Sequence, residues 1–152
     1  MGVKTAKLAR DVAAQSTVLL DTNVLIAYLD GGQTITEAAS LIIDRWIRHG
    51  RNRAIVSAVS AMELLAGPIR AQRGLDDAMD FLTRFPNLRT TPVDLAAARH
   101  GAEIRARHRL KPPDSLIIGT AIAARADAIV TNDGKWSSTC PVRVITLGEY
   151  VE

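Results

Sequence analysis

Short apolar runs recur along this 152-residue chain, and segments with helical periodicity separate them. Residues 18–20, 54–56 and 128–130 are apolar throughout, which is typical of strands buried on both faces of a parallel sheet. Residues 88–90 and 142–145 are two further predicted strands. Because strands and helices alternate without a repeat or a linker, the pattern predicts one α/β domain with a short, mainly parallel central sheet flanked by helices.

Composition agrees with such a domain and limits where the protein works. The hydrophobic fraction is 47% with only 4% aromatic residues, so the predicted core consists of Ala, Leu, Ile and Val. We assign residues 17–152 to the domain and residues 1–16 to an N-terminal extension. Apolar residues 116–124 fall far short of the roughly 20 needed to span a bilayer, so no membrane span is expected. A single cysteine, Cys140, excludes an intrachain disulfide and agrees with a cytoplasmic location.

Four acidic residues occupy positions that this fold is expected to bring together. Asp21 follows the first predicted strand and Asp133 follows the fourth. Glu63 lies in the helix after the second strand, which is predicted to end near Gly67 and Pro68, and Asp114 opens an apolar helix after two prolines. Functional groups of open α/β sheets gather outside the carboxyl ends of the strands. The sequence therefore predicts a pocket that contains four carboxylates.

Each acid also has a purely structural explanation. Asp21 can cap a helix, Asp114 can be stabilised by the dipole of the helix that it opens, and Asp133 can belong to a turn. Glu63 has apolar neighbours, which predicts a buried helix in which a glutamate needs a partner; the alternative is an exposed Glu63 on a helix with one face in solvent. Converged carboxylates raise one another's pKa unless a cation neutralises them, and oxygen ligands suit Mg²⁺ or Mn²⁺. Together the four acids favour a metal-dependent phosphodiesterase.

Four short segments carry a family resemblance: residues 20–25 (LDTNVL), 60–67 (SAMELLAG), 113–121 (PDSLIIGTA) and 130–133 (VTND). In order and spacing they resemble the PIN domain, specifically the VapC-type toxin ribonucleases of type II toxin–antitoxin pairs. The resemblance implies a three-layer PIN-like fold. It also implies a site for one or two Mg²⁺ or Mn²⁺ ions, with Asn23 and Thr131 as nearby polar residues. The four implied catalytic and metal-binding residues are Asp21, Glu63, Asp114 and Asp133.

The same resemblance implies an activity and partners. The chain is expected to be an endoribonuclease that hydrolyses RNA to 5′-phosphate and 3′-hydroxyl ends, because a metal-activated water attacks the phosphorus. A small VapB-like antitoxin is expected to cover the acidic pocket, and the protein is expected to form a homodimer. The sequence does not identify the RNA target, the cleavage site or the number of metal ions.

Basic residues before Asp114 are candidates for contact with RNA. Arg105, Arg109 and Lys111 are expected to grip the phosphate backbone, although a solvated charged face produces the same pattern. Trp136, just past Asp133, is a candidate for stacking on a base.

Two other functions compete with the nuclease. One is a non-catalytic PIN-like module that binds nucleic acid or serves as a scaffold, but the complete set of four acids argues against it. The other is a haloacid-dehalogenase-like phosphatase, whose motif requires a second aspartate two residues after the first. Asn23 stands at that position, so the phosphatase is the weaker alternative.

Overall fold

The structure, a computed structural model, describes residues 2–152 and contains one central sheet. Its strands are β1 (Thr17–Leu20), β2 (Arg53–Ser57), β3 (Leu88–Thr91), β4 (Ala128–Thr131) and β5 (Arg143–Thr146). They lie in the order β3-β2-β1-β4-β5, and all four pairings are parallel. The predicted α/β fold is confirmed, and the sheet is wholly parallel. Its winding reverses between β1 and β4, where open α/β sheets form their binding crevice.

Helices cover both faces of the sheet and give the protein three layers. They are α1 (Thr5–Asp11), α2 (Thr22–Asp30), α3 (Thr36–Ser40), α4 (Ala58–Ala71), α5 (Leu75–Arg84), α6 (Leu95–His108) and α7 (Pro112–Ala123). Helix α3 continues into a π-helical stretch, Leu41–Ile47, and 3₁₀ turns follow β4 and β5 at Gly134–Ser138 and Leu147–Tyr150. Within residues 2–152, no helix has the length and apolar character that crossing a bilayer requires.

Alternating side chains of β1 divide the core between the two faces. Val18 and Leu20 belong to a large cluster that the first five helices complete. Leu19 points to the opposite face and joins a smaller cluster with Ile104 of α6 and Ile117 of α7. All three strand residues are fully buried, as expected of the central strand of a covered parallel sheet.

Two helix boundaries differ from the sequence prediction. The helix that carries Glu63 was expected to end near Gly67 and Pro68, but α4 continues to Ala71. The last central helix was expected to begin at Asp114, but α7 begins at Pro112. Proline is tolerated in the first turn of a helix because its missing N–H has no intrahelical partner there.

Residues assigned to an N-terminal extension pack against the domain; Met1 alone lies outside the described residues. Leu8 of α1 and the adjacent Val12 are 0% and 1% exposed and belong to the larger core cluster. Val3 forms an antiparallel bridge with Val151, and the Tyr150 hydroxyl donates a 2.7 Å hydrogen bond to Asp11. These contacts join α1 to the last residues of the chain.

Two glycines allow α6 and α7 to pack closely. A Cβ atom at Gly101 would lie 2.9 Å from the Ser115 carbonyl oxygen, and one at Gly119 would overlap the Ala97 carbonyl oxygen. Side chains larger than hydrogen would therefore push the helices apart. The close crossing fixes α7, and with it Asp114, over the sheet.

Candidate active site

Hydrogen bonding along the sheet places Asp21 beside the end of β4. Leu20 is in register with Val130, and the Asp21 amide donates to the Val130 carbonyl at 2.9 Å. Thr131, the next residue of β4, is fully buried. The carboxyl ends of β1 and β4 thus meet at the point where the sheet reverses, as the sequence predicted.

Two hydrogen bonds hold the Asp21 carboxylate. Its Oδ1 accepts from the Thr22 amide at 2.7 Å, which caps α2, and its Oδ2 accepts from the Thr131 hydroxyl at 2.7 Å. The side chain is also buried, at 4% exposure. Burial raises the pKa of Asp21 to about 6; the two hydrogen bonds oppose that rise, and the charges of Asp114 and Glu63 add to it. The capping role of Asp21 and a site role therefore coexist.

The Thr131 hydroxyl also links Asp133 and Asn23 to the site. It accepts from the Asp133 amide at 3.0 Å and lies 3.5 Å from Asn23 Nδ2. Asn23 Oδ1 accepts from the Asn132 amide at 3.1 Å, while Asp133 Oδ1 accepts from the Lys135 amide at 3.0 Å and caps the 3₁₀ turn. The two residues predicted as nearby polar groups, Asn23 and Thr131, thus lie where they orient the loop after β4.

Glu63 is not buried as the apolar neighbours predicted. It is exposed on α4, and Met62 beside it is 61% exposed, because this face of the helix is in contact with solvent. Glu63 nevertheless has a partner, since its Oε1 accepts from the Thr22 hydroxyl at 2.9 Å. The same hydroxyl lies 2.8 Å from Ser60 Oγ. Sequence reasoning missed Thr22 and Ser60; the three-residue spacing of Ser60 and Glu63 on one helix was the available signal.

Asp114 lies in the first turn of α7 and is half-buried. Burial raises its pKa, and the negative charges of Asp133 and Glu63 raise it further, while Lys111 has the opposite effect. Its carboxylate accepts no hydrogen bond in the part of the chain from Gly2 to Glu152. Asp114 is therefore the least restrained carboxylate of the four.

The four acids act on one another electrostatically, but they do not form a closed cage. Within residues 2–152, no three carboxylate, imidazole or thiol groups lie close enough together to hold one ion. None of the ion pairs in that part of the chain includes any of the four acids. A buried Asp21 with a raised pKa and no cationic partner fits a hard divalent cation, and Mg²⁺ usually takes only one or two protein carboxylates and keeps several waters.

The residues predicted to contact RNA differ in their surroundings. A hollow of about 390 Å³ at the junction of α6 and α7 is lined by Arg105, Arg109, Leu110, Lys111 and Pro112. Its three basic residues are exposed. Trp136 is only 1% exposed and packs in the same core cluster as Leu19 and Ile129, so the predicted stacking on a base is wrong for this conformation. Its large apolar ring fills the core beneath the turn after β4.

Comparisons with known proteins agree with this fold. The PIN domain family model matches residues 18–140. A toxin–antitoxin complex from Klebsiella pneumoniae contains a chain that is 23% identical, with a TM-score of 0.66, and the match covers 86% of this chain and 97% of that one. A chain of DNA-bound VapBC from Salmonella typhimurium is 25% identical, with a TM-score of 0.59, and the match covers 86% of this chain and 98% of that one.

A third similar structure is VapC20 from Mycobacterium tuberculosis, described as a Sarcin–Ricin loop cleaving toxin. It is 15% identical, with a TM-score of 0.64, and the match covers 83% of this chain and 98% of that one. No curated protein sequence matches the chain.

Proposed function

The chain belongs to the PIN domain family, and we propose that it is a divalent-metal-dependent endoribonuclease and the toxin of a toxin–antitoxin pair. The observation that carries the proposal is Asp21, a buried carboxylate whose pKa is raised to about 6 and which forms no ion pair within residues 2–152. Glu63 and Asp114 add negative charge around it. This arrangement is unfavourable for the protein alone and becomes favourable when a cation binds.

The proposed metal ligands are Asp21 and Asp114. Glu63 and Asp133 would accept hydrogen bonds from waters bound to the metal. When bound, Mg²⁺ or Mn²⁺ supplies charge neutralisation at the phosphate and an acidified water for the attack. The Thr22 amide and the Thr131 hydroxyl fix the orientation of the Asp21 carboxylate. Glu63 Oε1 is held by Thr22, which leaves Oε2 to accept a hydrogen bond from a water.

Cleavage of RNA by the full chain tests the proposal. We expect Mg²⁺-dependent cleavage that EDTA stops and that Asp21→Asn or Asp114→Asn reduces to the level with EDTA. Asp76→Asn, which removes an exposed carboxylate of α5, is the matched control and keeps full activity. End-labelling is expected to find 5′-phosphate and 3′-hydroxyl ends. Full activity in either site variant, or 2′,3′-cyclic phosphate ends, contradicts the proposal.

The two alternatives have less support. A haloacid-dehalogenase-like phosphatase needs an acid where Asn23 stands, and the Asn23 amide is engaged with the loop after β4. A non-catalytic module has no need of the unneutralised Asp21 carboxylate. Cleavage lost in both site variants separates the nuclease from the binding module.

An antitoxin is the proposed regulator, because the structural neighbours include VapBC toxin–antitoxin complexes. Exposed apolar side chains beside Glu63 support a protein partner: Met62 and Ile69 of α4 are 61% and 58% exposed. A hollow of about 390 Å³ lies along the same helix and is lined by Leu29, Leu64 and Pro68, among others. We expect Ile69→Glu to prevent co-purification with a co-expressed VapB-like protein from the same genome and to leave RNA cleavage intact. Co-purification with undiminished yield contradicts this surface.

A homodimer and a cytoplasmic location complete the proposal. The homodimer is tested by light scattering, which is expected to give twice the 16.4 kDa mass of one chain. A mass of one chain at micromolar concentration contradicts the dimer. Fractionation of the host cells tests the location, and recovery with the membranes contradicts it.

A further inference from the structure

The geometry points to a second binding site for RNA in the hollow between α6 and α7, where one phosphate of the backbone is held beside the phosphate that is cut. We call this hollow the basic hollow; it is lined by Arg105, Arg109, Leu110, Lys111 and Pro112. Its volume is about 390 Å³. The inference deepens the proposed function and rests on RNA being the substrate.

The basic side chains of the basic hollow form no ion pair with an acid in the described part of the chain. None of the ion pairs within residues 2–152 includes Arg105, Arg109 or Lys111. Arg99, on the same helix, instead pairs with Glu103 at 3.6 Å. Three cations that share one hollow repel one another, so an anion that enters it relieves this repulsion.

The backbone gives the basic hollow its shape. Arg109 ends α6 in the left-handed conformation, with φ of 53°, and its amide bonds to the Arg105 carbonyl. The Arg105 guanidinium turns back and donates to the Leu110 carbonyl at 3.2 Å. Prolines occupy the first positions of α7 and provide no N–H groups, so an anion here is bound by side chains.

Lys111 connects the basic hollow to the acidic site. It is the N-cap residue of α7, and Asp114 lies in the first turn of the same helix, so the two residues lie at the same helix end. The acids repel phosphate until a cation binds, whereas the basic hollow attracts it at once. Adjacent positive and negative regions of this kind suit a chain of phosphates, with one held by the basic side chains and the next by the cation.

A chain of phosphates explains the basic hollow better than an acidic protein segment does. The three basic side chains are exposed, and the most apolar lining residue, Leu110, is only half-buried. An RNA backbone needs charge and access, while a protein segment gains affinity chiefly from apolar anchors. The exposed apolar residues of α4 lie elsewhere, on the helix of Glu63.

Salt dependence of RNA binding tests the inference separately from cleavage. A labelled single-stranded RNA is titrated with the full chain in EDTA, which stops cleavage, over a series of NaCl concentrations. Each phosphate contact that is lost is expected to reduce the slope of log K against log [salt] by about 0.7 for a single strand. Because the basic hollow holds one phosphate, we expect the double variant Arg109→Gln/Lys111→Gln to reduce the slope by about 0.7 and each single variant to reduce it by less.

Arg99→Gln is the matched control, because it removes one charge from α6 outside the basic hollow. Arg99→Gln is expected to leave the slope unchanged. The variants of the basic hollow are expected to reduce the affinity for two RNAs of different sequence by the same factor. Thermal melting confirms that all variants fold. The inference is overturned if Arg99→Gln reduces the slope as much as Arg109→Gln does, or if the double variant has the same slope as wild type. The expected slopes without Mg²⁺-dependent cleavage support the basic hollow and reject the nuclease.

Discussion

Two aspartates of the same protein have opposite surroundings. Asp11, where α1 meets the end of the chain, accepts a hydrogen bond from Tyr150 and lies 3.5 Å from both Arg10 and Arg143. The Tyr150 hydrogen bond, with help from the arginines, lowers the pKa of Asp11. Asp21, at the end of β1, is buried among other acids, and its pKa is raised to about 6.

The difference separates an acid that stabilises the fold from one that awaits a ligand. The protein supplies all the positive charge that Asp11 needs. Around Asp21, residues 2–152 supply an amide and a hydroxyl but no ion-pair partner. Ionisation of the carboxylate above pH 6 therefore destabilises the protein until a cation from solution binds. The two sites are therefore expected to respond in opposite ways to pH, metal and mutation.

The largest expected effect is on stability without metal. Because the folded pKa of Asp21 lies above the ordinary 3.8, its contribution to stability is lost as pH rises from about 4 through about 6. At pH 7.5 in EDTA, Asp21→Asn is expected to raise the free energy of unfolding by at most roughly 3 kcal/mol, because Asn keeps only one of the two acceptor oxygens. Asp11, with a lowered pKa, has the opposite sign: its contribution is lost as pH falls below 3.8. Urea unfolding at pH 4 and 7.5 measures the Asp21 contribution, and urea unfolding at about pH 2.5 and 4 measures the Asp11 contribution. An Asp21→Asn variant that is less stable than wild type at pH 7.5 removes the contrast.

Addition of Mg²⁺ is expected to have a slightly smaller effect. A ligand at a concentration one hundred times its Kd stabilises the folded state by about 2.7 kcal/mol. Wild type and Asp11→Asn are expected to show this gain above pH 6, and Asp21→Asn is expected to lose most of it. Urea unfolding with a series of MgCl₂ concentrations measures the gain. An equal gain in Asp21→Asn places the metal elsewhere.

Removal of the hydroxyls that orient the acids is expected to weaken metal binding. Thr131→Val removes the donor to Asp21 Oδ2 and the acceptor for the Asp133 amide. Changes to groups that orient metal ligands typically cost 10–100-fold in affinity or activity, and we expect a loss in that range. Because the hydrogen bond from Thr131 lowers the pKa of Asp21, its loss is expected to shift the pH profile of cleavage to higher pH. Thr131→Ser keeps the hydroxyl and is the control; an unchanged profile in Thr131→Val contradicts this role.

Thr22→Val tests the same principle at Glu63. The substitution keeps the size of the side chain and removes the hydroxyl that Glu63 Oε1 accepts from. We expect a loss of metal affinity near the lower end of the 10–100-fold range, because Glu63 is exposed and the Thr22 amide still donates its hydrogen bond to Asp21. Titration calorimetry with Mn²⁺ measures it, with Thr22→Ser as the control. Wild-type affinity in Thr22→Val shows that Glu63 does not depend on Thr22.

The smallest effect is expected at Asp11. Tyr150→Phe removes one hydrogen bond, but both arginines remain beside the carboxylate. Because the acid stays neutralised, we expect a small decrease in Tm and no change in RNA cleavage. A scan of thermal unfolding measures the first and the cleavage assay the second. Reduced cleavage in Tyr150→Phe would show that the Asp11 region affects the Asp21 site, which contradicts the expected independence of the two.

Sequence reasoning predicted the sheet, which the structure confirms, and it proposed the four acids as a site, because both depend on local patterns. The apolar runs that became β1, β2 and β4 are buried, and the carboxyl ends of adjacent parallel strands must meet. Positions of Asp21 and Asp133 follow from this rule alone. Asp114 follows from the prolines that begin α7.

What the sequence did not predict depends on how elements approach one another. Apolar neighbours suggested that Glu63 is buried, but Met62 faces solvent, since only one side of α4 packs on the core. Trp136 follows Asp133 in sequence, yet its ring turns into the core. The Thr22 hydroxyl reaches Glu63 only because α2 and α4 are neighbours in the fold.

Calorimetric titration of the full chain with Mn²⁺ at pH 7.5 tests the central claim most directly. The account predicts saturable binding of one or two ions in wild type, with at least a tenfold loss of affinity in both Asp21→Asn and Asp114→Asn and no loss in Asp11→Asn. Binding that both site variants retain at wild-type affinity, or that Asp11→Asn weakens as much as they do, would contradict it.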